Sequence, residues 1–520
     1  MKGFTTSVLL VLFAACGPSA GNERDCGSGP TDLSTDPQNC GQCTFVCGAN
    51  ETCHAGVCKS GTCDPGTTED CYDGQDGTKG VGPCVGGTHT CGADGNWGQC
   101  MGEVVPVQEV CGNGIDDNCN GKTDEDEDAD GDGFTTCGGD CCDSTECSNP
   151  GAVNPGAFDA PGNNFDDDCN GVVDDSITLC DQTLPSNSSV AMDYAKAIDL
   201  CQTATTSDKK WGVLDAQITF PSGSGTPKPE SHSIRHKFGS GVMPQGGLSM
   251  AIFSTGAAAA KGDTNPAYQD FVSDDRSETS TLPADFLAAN AGMVPNAPGC
   301  PAPNDSMGHD PVMLTLNIRV PTNAHSFKLS TNFFSAEFPE WTCTPYNDFF
   351  VVLLDSAYAG DPANPMDKNL AFYSPPSDPS KKYPVGVNLA YGNTGLFTQC
   401  VNGTTGCSAI LSGSPGSITT CMSTTQLTGT GFDDAASGEC DANSLKGGGT
   451  GWLVTSGNVK PGETIKLRIA IWDTSDGAYD SLAVVDGFQW SVDSTQPGTV
   501  IFDHKPNLPP FNPLEPQSVE

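Results

Sequence analysis

Oxygen-bearing side chains recur at alternate positions in one short stretch, Asp116, Asn118 and Asn120, followed by Gly121 and Asp124. A tightly wound loop points such side chains at one centre, which is what a hard cation such as calcium requires. Glu127 falls at the twelfth place, where an EF-hand loop carries its bidentate ligand. Thr123 departs from that pattern, because an apolar residue is usual there. The chain then repeats itself at a spacing of fifty: Gly112 to Asp124 aligns with Gly162 to Asp174 without a gap, eight of thirteen positions being identical. The second copy offers Asp166, Asp168, Asn170 and Asp174, and between the copies lies a third acidic loop with Asp128, Asp130 and Asp132. Ile177 and Gly139 occupy the twelfth places of these two loops, so both need ligands from elsewhere, with Asp140 and Asp143 the nearest.

Charge supports a cationic ligand. Across 520 residues, 65 Asp and Glu face 23 Lys and Arg, a net charge of −42 that repels phosphate backbones and excludes nucleic acid as a partner. From Glu109 to Asp181 there are twenty acidic residues and one basic residue, Lys122. Copper is disfavoured as the ion, because that span holds no histidine or methionine.

The elements that must position these loops begin with cysteine. Of 27 cysteines, twenty lie in the first 180 residues, a density that reducing compartments do not sustain. Residues 26–102 contain almost no aliphatic run, so disulfides must replace a core there. Cys40 and Cys43 read as halves of structural disulfides rather than as a zinc site or redox pair. Within the acidic span and just beyond it, the expected pairs are Cys141–Cys169 and Cys180–Cys201.

Ahead of this module, the apolar run of residues 4–15 follows Lys2 and is too short to span a bilayer. It reads as a signal peptide. Its end, Ala14-Ala15-Cys16, resembles the lipobox of bacterial lipoproteins, which implies diacylglycerol on Cys16 and a flexible tether over 16–25. The expected place is the outer membrane, held by that lipid and facing either the surface or the periplasm.

Three family resemblances follow from quoted motifs. Ser34 to Cys43, with Cys47, Cys53 and Cys58, resembles the cysteine-rich repeat of stigma-specific proteins, which recurs in myxobacterial surface lipoproteins. Asp128 to Gly133, Asp140 to Asp143, Asn154 to Ala157 and Asp166 to Gly171 resemble the MopE-type metal-binding motif, with Cys142 replacing one of its aspartates. Asp193 to Cys201, Trp211 to Val213, Arg319 to Ala324, Glu337 to Trp341 and Tyr346 to Phe350 resemble the choice-of-anchor L domain, which implies an exposed surface domain without naming its ligand.

Beyond Cys180 the composition shifts to alternating apolar residues. A helix is expected over 189–202, and strands over 313–320, 326–333, 349–354, 464–471 and 482–490. The expected fold is mainly β: disulfide-rich small N-terminal modules, a calcium-loop acidic module, and a C-terminal jelly-roll-like β-sandwich with one helix. The division is 1–15 leader, 16–25 tether, 26–102 cysteine-rich module, 104–178 acidic module, 180–495 sandwich and 496–520 Pro-rich tail. The sandwich is expected to carry its own calcium site from two segments far apart in sequence, Glu337, Asn347 and Asp348 in one and Asp473, Asp476, Asp480 and Asp486 in the other, with pairing to Arg319 or Arg468 as the competing account of those acids. The histidines, His232 among them, read as ordinary surface residues.

Function follows as a calcium-binding surface lipoprotein with a structural, adhesive or ligand-binding role toward an extracellular protein or glycan, and no catalytic constellation. The alternative is a secreted hydrolase using paired carboxylates such as Glu337 and Glu340 on a jelly-roll scaffold.

Overall fold

The computed structural model describes residues 23–502 apart from 28–29, 49–50, 55, 61–62, 125–127, 145–146, 176–178, 274, 392–393, 407–417 and 436–444. Cys16, the expected signal peptide of residues 1–15 and Glu127 therefore lie outside the described residues. The chain divides into two compact units, residues 1–127 with 135–138, and 128–134 with 139–520. No helix among the described residues is long and apolar enough to cross a membrane.

The first unit is built from turns and two-stranded antiparallel ladders such as Glu51–His54 with Val57–Ser60 and Thr68–Cys71 with Gly87–Thr90. Its buried hydrophobic side chains, among the described residues, are all half-cystines: Cys40, Cys53, Cys63, Cys84, Cys91 and Cys119. Disulfides thus stand in for a core. They join Cys26–Cys43, Cys40–Cys53, Cys47–Cys58, Cys63–Cys91, Cys71–Cys100, Cys84–Cys119 and Cys111–Cys137. Each closes a loop of 11 to 35 residues, and each such closure typically contributes ~2–4 kcal/mol by restricting the unfolded chain. Cys40 and Cys43 bond to different partners, so neither zinc nor a redox pair is held there.

The second unit is a sandwich of two antiparallel sheets. In the first sheet the long strand Met307–Arg319 pairs with Thr464–Asp473, Gly212–Thr219 and Thr279–Thr281, and Phe349–Asp355 lies beyond Thr464–Asp473. The second sheet runs, in spatial order, Gly498–Ile501, Gly448–Asn458, Ser326–Ser335, Ser481–Ser491, Met250–Ser254, His232–Arg235. The expected strands are all present, mostly a residue or more longer at one end. Their side-chain partition explains the unbroken apolar run from Phe349 to Leu354. Phe350, Val352 and Leu354 enter the core between the sheets, whereas Phe349, Val351 and Leu353 pack outward with Phe286, Met313 and Trp472. Both faces of the strand are dry, so alternation with polar residues disappears. Full burial of each such side chain stabilises the fold by ~1.5–3 kcal/mol.

The expected helix is shorter, Ala191–Lys196. Asp193 in its first turn and Lys196 in its last complement the helix dipole. The chain then leaves the helical path, with Asp199 at φ 73, and Cys201 bonds Cys180. Ile198 and Leu200 are buried by that turn rather than by a helical face. A second short helix, Ala284–Ala289, was not anticipated from the sequence, so the sandwich carries two.

Candidate metal centre

In the first loop, backbone amides collect on the expected oxygens. Asp116 accepts from Asn120 N at 3.1 Å and Gly121 N at 3.0 Å, Asn118 Oδ1 from Asn120 N at 3.0 Å, and Asn120 Oδ1 from Lys122 N at 2.9 Å. Asp124 closes back on the start of the loop, accepting from Asn113 N at 3.0 Å and from Gly114 N. The second copy repeats these bonds fifty residues on. Asp166 accepts from Asn170 N and Gly171 N at 3.1 and 2.8 Å, Asp168 from Asn170 N at 3.2 Å, Asn170 from Val172 N at 2.8 Å, and Asp174 from Asn163 N at 3.1 Å. The strained positions repeat too. Cys119 and Cys169 have φ 58 and 57, and Asp124 and Asp174 have φ 51 and 50. Two sequences that differ at five of thirteen positions therefore fold one backbone.

One pair of acids in this geometry was missed from the sequence. Glu109 accepts from Asn118 N at 3.2 Å and Asp124 N at 3.1 Å, while Asp159 accepts from Asp167 N at 3.2 Å and Asp175 N at 2.5 Å. They too stand fifty apart, and extending the repeat three residues toward the N-terminus would have shown them. Asp140 and Asp143, expected to complete both later loops, serve the Asp128 loop. In the second copy Asp159 and Asp175 surround Asp168, whose carboxyl is raised by burial with their charges adding to it.

The Asp128 loop is where carboxylates converge most tightly. Ligand oxygens of Asp128, Asp130 and Asp132 lie within 4.8 Å of one another, as do those of Asp130, Asp140 and Asp143. Oxygens on opposite sides of a calcium ion at ~2.4 Å would be about 4.8 Å apart, so the spacing fits. Asp128 folds the loop by accepting from Gly131 N at 2.7 Å and Gly133 N at 2.9 Å, and Asp143 accepts from Ala129 N at 2.6 Å. Asp130 Oδ2 is buried with no hydrogen-bond partner among the described residues. Asp140 is 1% exposed, and burial, reinforced by the charges of Asp132, Asp130 and Asp143, pushes its carboxyl up to about 6. Burial likewise raises Asp130 and Asp132. Five acids are thus held where they repel one another.

The cluster is fixed to the sandwich. Asn154, fully buried, donates to Asp132 Oδ2 at 2.7 Å and accepts from Thr322 Oγ1 at 2.7 Å. Asn323 grips the next residues through Phe158 N at 3.0 Å and Phe158 O at 2.8 Å. Cys141–Cys169, with S–S 2.09 Å, binds the second copy to the same segment. Cys142 and Cys147 are not in disulfides, which corrects the expectation that every cysteine beyond the leader is paired. Cys142 is buried beside Cys147, and burial pushes its thiol up to about 12, so it is protonated and a poor soft-metal ligand. The set available to a cation is hard oxygen.

In the sandwich, Glu337, Asp348, Asp473 and Asp480 are between 0 and 1% exposed. Glu337 Oε2 accepts from Asp348 N at 3.3 Å, Asp348 Oδ2 from Ser481 Oγ at 2.5 Å, and Asp480 Oδ1 from Thr255 Oγ1 at 3.5 Å. Asp348 Oδ1 and both oxygens of Asp473 are buried and, among the described residues, no backbone amide donates to them, so the two carboxyls and the Thr255 hydroxyl face one another. Burial raises Glu337, Asp348 and Asp473 well above the usual carboxylate range, and each is raised further by another of the three. The competing arginines are engaged elsewhere. Arg468 pairs with Asp285 at 2.6 Å and Asp355 at 2.9 Å, and Arg319 donates to the carbonyls of Thr205 and Thr206. Glu337 and Glu340 are 1% and 0% exposed, whereas glycoside cleavage by that pair would require an open cleft.

His232 is also not at the surface. It is 7% exposed, and its Nδ1 meets the Tyr194 hydroxyl at 2.6 Å.

Comparison with known families places the acidic loops in context. The profile of the Cu-binding MopE family, described as "Putative metal-binding motif", matches residues 107–125 and 140–175. Comparisons with curated proteins and with solved structures find no match. The matched residues contain both copies of the repeat together with Asp140 and Asp143, so the chain carries a metal-binding motif of the MopE type on a mainly β, disulfide-rich protein.

Proposed function

We propose that the chain is a calcium-binding lipoprotein of the bacterial outer membrane, in which the ion fixes the acidic segment against a β-sandwich that faces an extracellular protein or glycan. The observation that carries the calcium reading is the five-carboxylate cluster of Asp128, Asp130, Asp132, Asp140 and Asp143, with a buried oxygen on Asp130 that has no partner among the described residues. Oxygen ligands alone, with no histidine or methionine between residues 107 and 175, favour calcium over copper. Disulfide density supports export, and Ala14-Ala15-Cys16 supports the lipid. In the same reading, Glu337, Asp348 and Asp473, with Asp480 beside them, hold a second calcium ion inside the sandwich. Three carboxylates in a dry site otherwise persist only by taking up protons.

Intact cells treated with a broad protease, with calcium or with chelator, test location and ion together. The expected result is digestion from outside, with cleavage near residues 128–143 accelerated by chelator, and release of Cys16→Ala from the membrane fraction. Full protection on intact cells that is lost only on lysis would contradict surface display, and digestion indifferent to chelator would contradict the calcium role.

A further inference from the structure

The chain contains five Asp–Pro peptide bonds, which follow Asp36, Asp64, Asp310, Asp361 and Asp378. An aspartate before proline can sever its own bond, because its carboxyl reaches the main-chain carbonyl carbon through a five-membered ring. Proline favours the break, since its nitrogen carries no N–H and leaves as a secondary amine. Four of the five aspartates are at least partly open to solvent, and none of those four has a positive φ. Asp310 is 1% exposed and has φ 45.

That conformation opposes what proline imposes on the residue before it, which sterics push to a φ of about −120°. A residue with a Cβ at positive φ is strained, and such strain persists only where the surrounding structure enforces it. Here the enforcing contacts are explicit. Asp310 N donates to Glu278 O at 2.8 Å. Its carboxyl is gripped at both oxygens, Oδ1 accepting from Glu278 N at 2.7 Å and Oδ2 from Arg276 N at 3.0 Å. In the Met307–Arg319 strand, the pairing with Thr464–Asp473 slips between His309 and Val312, so Asp310 and Pro311 stand in a bulge.

The carbonyl is gripped as well. Arg276 Nη2 donates to Asp310 O, and Arg276 is 4% exposed. Its Nε and Nη1 are buried without a hydrogen-bond partner among the described residues, the Glu278 carboxylate standing 4.0 Å from Nε. A buried guanidinium on a main-chain carbonyl oxygen is the donor that a tetrahedral oxyanion requires at that atom, and it is in place before any reaction. A clamp that only held the carboxyl would need neither the proline nor a cation on the carbonyl.

We infer that the folded chain cleaves itself between Asp310 and Pro311. An Asp310 carboxylate oxygen attacks the Asp310 carbonyl carbon, and Arg276 holds the oxyanion that forms. The C–N bond to Pro311 then breaks with its electron pair on nitrogen, which takes a proton from water and becomes the secondary amine of a new amino terminus. The hydroxide left behind opens the cyclic anhydride on Asp310 to free α- and β-carboxyls. One water is thus added across one peptide bond. The two pieces stay joined, because the Cys300–Cys343 disulfide links residues on either side of the break. The inference uses none of the residues assigned to calcium and stands whether or not the chain binds that ion.

The experiment follows the intact mass of the folded full-length protein during incubation at mildly acidic pH, beside the same chain unfolded in guanidinium. Without reduction, the folded parent should gain the mass of one water. With reduction, it should separate into a piece ending at Asp310 and a piece beginning at Pro311, at a rate independent of protein concentration. Arg276→Met should slow the cleavage roughly 10²-fold, the usual cost of removing one oxyanion donor, and Pro311→Ala should slow it as well. Cleavage no faster in the folded than in the unfolded parent, or spread equally over the bonds after Asp36, Asp64, Asp361 and Asp378, overturns the inference. So does a rate that rises with protein concentration. Because the parent alone supplies these comparisons, misfolding of either variant does not remove the test.

Discussion

Acid should destabilise the sandwich through His232, by an amount the structure supplies. Burial, aided by the charge of Arg276, pushes this imidazole down to about 4 from 6.5. Tyr194 OH donates to the Ser188 carbonyl at 3.0 Å, so the 2.6 Å contact with His232 is made by a neutral ring carrying its hydrogen on Nδ1. Because the folded value lies below the unfolded one, the unfolded chain binds more protons between those limits. The stabilising contribution is whole above about pH 6.5 and is lost as the pH falls toward and through 4. At about 1.4 kcal/mol per unit, the shift amounts to about 3 kcal/mol. Buried carboxylates with raised values, Glu337, Asp348 and Asp473 among them, act in the opposite sense without an ion, losing stability as pH rises. The measurement is therefore a difference: denaturant unfolding of the parent and of His232→Gln, in saturating calcium, at several pH values between 4 and 7. His232→Gln keeps a donor for Tyr194 but does not titrate, so the parent should lose about 3 kcal/mol more than the variant across that range. Parallel profiles for the two proteins would refute the reasoning.

Two further outcomes follow from the acidic segment. Asp159→Ala removes the acceptor for two amides of the second loop, so that segment should be destabilised by about 1–3 kcal/mol, seen as faster amide exchange at Asp167 and Asp175; exchange equal to the parent's would show that water replaces the carboxylate without cost. Cys142 should resist alkylation in the native protein and react after denaturation, because it is buried and its thiol is pushed up to about 12; labelling at equal rates in both states, or a Cys142–Cys147 bond in non-reduced peptide maps, would contradict this.

The repeat of Gly112–Asp124 at Gly162–Asp174 was legible because its glycines and asparagines are backbone requirements, and φ values that agree within a degree or two at Cys119 and Cys169, and at Asp124 and Asp174, show what the identities preserve. The long strands were legible from their runs of apolar residues. Glu109 and Asp159 escaped notice because they act on amides several residues away, outside the alternating pattern. His232 escaped because a four-residue strand between polar turns has too little periodicity to reveal a buried face.

The most direct test of the central claim is calorimetric titration of calcium into metal-free full-length protein, alongside Asp130→Asn/Asp140→Asn. The parent should bind with dissociation constants no weaker than about 10⁻³ M, the weak end for extracellular calcium modules. The double variant should lose at least one site while keeping its disulfides and its sheet signal. Binding isotherms that coincide for parent and variant, or heats indistinguishable from dilution, would contradict it.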